Sequence, residues 1–213
     1  MLSLDRYRTL FATPGVARLF LASVPGRLPI GMSGLAILMV VQNASGSFAG
    51  GGMATGCYVA GLAAVAPVLG RLIDRNGPRS TLLACALLFP ASMAALVMTV
   101  SGNAAMSLVL GCATAAGATF PPVTVCMRAY LRQLISGDAT LATAYSADSI
   151  LVEVMFIAGP MLVAFFIAYS TPSAAVWFAA ASGFAGALLF FGSRSASSFS
   201  SLQSSFAMRW PSA

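Results

Sequence analysis

The sequence predicts an all-α, polytopic membrane protein with six transmembrane helices, and three observations lead there. First, three long stretches hold no charged residue: Leu28–Gly70, Ser80–Met127 and Val154–Ser193, of 43, 48 and 40 residues. A helix crosses the ~30 Å hydrocarbon layer with about 20 mostly apolar residues, so each stretch is two crossings joined by a tight turn. Second, the chain is 59% hydrophobic and 8% charged, whereas a soluble domain carries about 25% charged residues. A soluble fold could not hide such blocks without large exposed apolar patches. Third, the blocks lack the alternating polarity of ~10-residue barrel strands, which selects helices.

Residues 1–17 form a cytoplasmic N-terminal segment. The apolar run from Leu19 to Val41, interrupted only by Arg27, is too long for the 7–15-residue core of a cleavable signal and reads as a retained first span. The transmembrane domain covers 18–192, with spans at 18–41, 52–72, 81–100, 104–127, 141–168 and 174–192. The turns within the charge-free blocks, Gln42–Gly51, Ser101–Asn103 and Tyr169–Ser173, are rich in the Gly, Ser, Asn and Pro that interrupt helices. Small residues crowd the spans, as in Gly61–Ala66 and Gly111–Ala118. They let helices approach closely where lipid supplies no hydrophobic drive. Beyond the last span, nine of the 21 residues in 193–213 are serine, a composition expected of a disordered cytoplasmic tail.

Charge placement sets the expected orientation. The eleven basic residues are all arginine. Ten of them fall on the side of the N-terminus, the second and fourth connections and the tail, and none falls in the three short turns. Cytoplasmic loops carry the arginine excess, so both termini belong in the cytoplasm, with a bacterial inner (plasma) membrane as the expected setting. This explains the net charge of +6 without a nucleic-acid partner. The chain has no histidine, which excludes Ser-His-Asp and Cys-His catalysis. It also lacks the phosphate-cradling G-x-x-x-x-G-K loop. Cys57, Cys85, Cys112 and Cys126 fall inside apolar segments without disulfide or zinc spacing. No enzyme activity, metal or cofactor is expected.

The connection between spans two and three reads Gly70-Arg71-Leu72-Ile73-Asp74-Arg75-Asn76-Gly77-Pro78-Arg79. It resembles the signature loop of the major facilitator superfamily, G-x-x-x-D-R-x-G-R-R, in the same place between the same spans. Gly70, Asp74, Arg75, Gly77 and Arg79 match, and Pro78 departs where a basic residue is usual. Read physically, the segment reverses the chain within about eight residues, aided by Gly77 and Pro78, and Asp74 stands among arginines able to donate to it. The resemblance implies a facilitator-type half bundle of two inverted three-helix repeats, with this loop a conformational latch.

Gly159-Pro160 in span five resembles an element of facilitator antiporters, though the further glycines of that element are missing from Met161–Phe165. Proline removes one backbone hydrogen bond and bends a helix. The family's proton-coupled members often carry an arginine in span four, four residues before a glycine. Here Ser107 precedes Gly111, a departure at the position of proton coupling.

Three ionisable residues lie within spans: Arg27, Asp148 and Glu153. Such residues are costly in lipid and face a cavity or a partner. Arg27 lies roughly 14 Å deeper than Arg18, and Asp148 and Glu153 roughly 10 and 18 Å into span five, at 1.5 Å per residue. Tyr145 shares the Asp148 face. These four form a candidate substrate or ion-pair site. Pro25 and Pro29, with Gly26 and Gly31, should distort span one around Arg27, and broken helices near the midplane build transporter sites.

Together these features point to secondary active transport of a small molecule by alternating access, efflux being the family's direction favoured here. The resemblance implies a proton as the driving ion. Because a usual member adds six further spans, the chain is expected to be a truncated N-terminal half. Its alternatives are a homodimerising half, or a complete six-span protein that acts as an assembly or regulatory partner.

Overall fold

The structure, a computed structural model, describes residues 4–13, 15–135 and 137–192. The serine-rich tail lies outside them. Seven helices follow in order: α1 (Leu4–Ala12), α2 (Val16–Ser45), α3 (Phe48–Ser101), α4 (Met106–Ala118), α5 (Val123–Leu134), α6 (Asp138–Tyr169) and α7 (Pro172–Gly192). No strand occurs among the described residues. The segment expected as a plain N-terminal arm holds α1, whose Leu10 is fully buried while Arg6 and Arg8 stay exposed.

α3 is 54 residues long but supplies two crossings, 48–76 and 78–101. In its first arm, Tyr58 presents its carbonyl to Gly117. In its second arm, Ser92 accepts a 3.3 Å hydrogen bond from Thr119. A straight helix would hold residues 58 and 92 about 51 Å apart, yet both meet residues 117–119, so the chain has turned back. The turn is made at Gly77, with φ 81° and ψ 157°. L side chains rarely adopt that conformation and glycine does so freely. The Ser80 hydroxyl then donates to the Asn76 carbonyl at 2.7 Å, satisfying an acceptor that the interrupted helix leaves over.

Span four is α4 and α5 together. The chain leaves helical geometry between Thr119 and Pro122, because Pro121 and Pro122 remove two adjacent donors and each disfavours helix in the residue before it. Pro25 and Pro29 were expected to distort span one; α2 stays helical through both. Likewise α6 runs through Gly159 and Pro160. An isolated proline already has a helical φ, and tightly packed neighbours hold the helix around the missing donor. The turn between spans one and two is also shorter than expected, Gly46 and Ser47 alone. Gly46 takes the left-handed conformation, and the Ser47 hydroxyl caps α3 by accepting from Gly50 N at 3.2 Å.

Glycines set the packing. A Cβ on Gly31 would strike the Met155 carbonyl, and one on Gly159 would strike the Gly31 backbone, so spans one and five meet main chain to main chain. Gly26 and Gly186 do the same for spans one and six. Gly61 against Thr114, and Gly117 against Tyr58, join spans two and four. Phe89 and Phe120, edge to face at 5.4 Å, join spans three and four. Span one thus grips spans five and six, while span four grips spans two and three. That is the exchange expected of two three-helix repeats. An odd number of crossings inverts the second against the first.

Two apolar cores result. One gathers Met32, Ile37, Phe89, Met93, Leu96 and Val163; the other gathers Leu10, Leu19, Leu82, Met127, Leu131 and Phe190. The stretch of α2 around Arg27 lies at the seam between them.

Candidate functional site

Arg27 lies eleven residues into α2 and Asp148 ten into α6, about 16 and 15 Å from those helix starts. Both are fully buried, and they form an ion pair through Arg27 Nη2 and Asp148 Oδ1. Arg27 Nη1 also donates to the Asp148 main-chain carbonyl at 3.5 Å. The second carboxylate oxygen, Oδ2, accepts from Arg128 Nε at 2.8 Å, and Arg128 Nη2 donates to Ser149 Oγ at 3.3 Å. One carboxylate therefore bridges two guanidiniums from different spans, leaving one positive charge in excess. The Arg27 side is sealed, whereas the Arg128 side chain is 49% exposed. Buried ion pairs gain little net stability, but losing one partner strands the other charge at about 3–5 kcal/mol. The cluster therefore fixes how spans one, four and five sit together.

Arg128 opens onto a cleft of about 1400 Å³ between α1, the α3 segment just before the Gly77 turn, α5 and α6. Its walls include Tyr7, Asp74, Arg132, Tyr145 and Ser149. Tyr145 is thus a half-buried wall residue rather than part of the ion cluster. Asp74, expected among the arginines of its own loop, makes no ion pair: among the described residues both ion pairs fall on Asp148. Of the loop residues, Gly70 and Arg75 lie in the last turns of the first arm of α3, Gly77 is the buried reversal, and Arg79 begins the second arm, exposed. The Cys126 thiol lies 3.9 Å from the Pro78 carbonyl, which ties this turn to α5.

Glu153 stands apart from the cluster. It is exposed on the α6 face that also carries exposed Ile150, Val154, Ile157 and Met161. Two buried polar atoms close to the cluster in sequence, Arg27 Nε and Thr124 Oγ1, have no hydrogen-bond partner. Thr124 is one helical turn from Arg128 on the same face of α5.

Arg128 was read from sequence as a loop arginine marking the cytoplasmic side. The available signal was periodicity: Val123, Met127, Tyr130, Leu131 and Leu134 repeat at helical spacing and extend α5 past the expected end of span four. That extension carries Arg128 inside a helix.

No curated protein and no solved structure matches the chain. Among protein families, residues 19–207 match the Major Facilitator Superfamily. With that match over most of its length and an all-helical bundle of six apolar crossings, the chain belongs to the Major Facilitator Superfamily, a family of integral membrane transporters.

Proposed function

We propose that this chain is one six-span half of a secondary transporter, which moves a small molecule by alternating access against a second six-span unit. The carrying observation is the cleft of about 1400 Å³ walled by spans four and five, with Arg128 held on its wall by a fully buried carboxylate. A bundle built only to anchor a partner can use the ion cluster for packing, but has no use for a cleft onto which one of its guanidiniums opens. The arginine-bearing connections support a cytoplasmic opening for that cleft, in a bacterial inner membrane. Gly70, Asp74, Arg75, Gly77 and Arg79 serve as the latch at its rim, and a proton gradient drives the cycle.

Glu153 supports the need for a second unit. It lies about 22 Å into α6, near the middle of that helix, on an otherwise apolar exposed face. A charged side chain there costs about 2.5–3.5 kcal/mol against lipid, a cost removed when a protein face or a shared cavity covers it. The second unit is either a separate six-span half or another copy of this chain.

Proteoliposomes containing the full chain, with and without a co-expressed six-span C-terminal half from a facilitator, test this under an imposed proton gradient. Gradient-driven uptake or efflux of small molecules by the paired or dimeric form is expected. Robust transport by a form shown to be monomeric by light scattering would overturn the half-transporter reading.

A further inference from the structure

We infer that the cleft takes an anion, a small molecule bearing a carboxylate or phosphate, on the guanidiniums of Arg128 and Arg132. This deepens the transport reading and rests on it. The charge balance carries the argument. The charged groups lining the cleft are Asp74, Arg128 and Arg132, with Arg27 and Asp148 buried behind Arg128. Three guanidiniums thus stand against two carboxylates. Both Asp148 oxygens are already engaged, one by each of Arg27 and Arg128.

The geometry agrees with the charge. Arg128 is fixed through Nε and Nη2, so its orientation is set before a ligand arrives, and its half-exposed edge is turned to the cleft. Arg132 lies one helical turn further along α5, at i+4, on the same face. Two guanidiniums so placed suit the paired oxygens of a carboxylate or phosphate, which arginine binds in a forked manner. Tyr145 and Gln133 on the walls add neutral donors. Arg27, which the sequence offered as part of a substrate or ion-pair site, is sealed against Asp148 and serves as the anchor behind the site.

Binding to the full chain in phosphatidylcholine nanodiscs is the test, read by titration calorimetry with inorganic phosphate, acetate and tetramethylammonium as probes. Saturable binding of phosphate or acetate is expected, weakened at least tenfold in Arg128→Gln and in Arg132→Gln, with much of it restored in Arg132→Lys. Arg132 lies outside the ion cluster, so its variants decide the matter even if Arg128→Gln is poorly folded. Unchanged anion binding in Arg132→Gln, or tetramethylammonium binding in place of the anions, would overturn the proposal. Loss of phosphate binding in phosphatidylglycerol discs would assign the arginines to lipid headgroups and overturn it equally. Because binding is read without transport, a chain that binds phosphate but moves no solute even when paired with a second six-span unit would sink the transport reading alone.

Discussion

Spans one and four occupy equivalent places in the two repeats, and each sends an arginine to the same carboxylate, yet they are built in opposite ways. Span one holds Pro25 and Pro29 inside an unbroken helix and buries Arg27 completely. Span four breaks at Pro121–Pro122 and leaves Arg128 half in the cleft. Proline content does not separate them, since each has two. Spacing and neighbours do. Prolines four residues apart each remove one donor from a helix clasped at Gly26 and Gly31, whereas adjacent prolines remove two donors in succession and push Phe120 and Pro121 away from helical backbone. The unbroken span is the anchor, and the broken one presents a charge to the cleft.

The sharpest way to break this comparison is at the arginines. Arg27→Leu should cost about 3 kcal/mol, because the buried Asp148 Oδ1 loses its partner and only the half-exposed Arg128 still holds the carboxylate, read as lost thermal stability in detergent. Arg128→Gln should cost about 1 kcal/mol, because water already screens that side chain. Equal losses would show that the two arginines anchor the bundle alike. The next effect concerns the break itself. Replacing Pro121 and Pro122 together by alanine should let α4 run into α5. Spin labels at positions 108 and 133, in a cysteine-free background, should then move toward the ~37 Å separation of an unbroken helix. An unchanged distance would show that neighbouring spans, not the prolines, impose the break. The smallest effect belongs to Pro25→Ala, about 1 kcal/mol or less, with helix content by circular dichroism unchanged. A gain in helix content there would reveal a disruption in span one that the backbone does not display.

The six crossings were legible because lipid enforces them: charge-free length maps directly onto bilayer thickness. The similar depths of Arg27 and Asp148 were legible for the same reason, since helical rise turns residue number into depth. Which residues meet was not, because that depends on lateral order among the spans. Arg128 looked like a border arginine until α5 was seen to continue to Leu134. Glu153 and Asp148, five residues apart, were known to point differently, but nothing in the sequence says which of the two a neighbouring span will meet. That α2 stays helical through Pro25 and Pro29 was not legible, because the glycine contacts that clasp it depend on the same lateral order. Nor could hydropathy find α1, whose fully buried Leu10 matters only once α2 and α6 are in place.

The glycine contacts carry one last consequence. Where Gly31 lies on Gly159 and Gly26 on Gly186, the touching surfaces are peptide backbone, which every amino acid shares. No exchange of side chain can bring these helices nearer, so change at Gly31, Gly159 and Gly186 has one direction only: it pries the bundle apart. In a randomised library selected for function these should be the places where alanine is already too large, even though none of the three carries a chemical group that any solute would recognise.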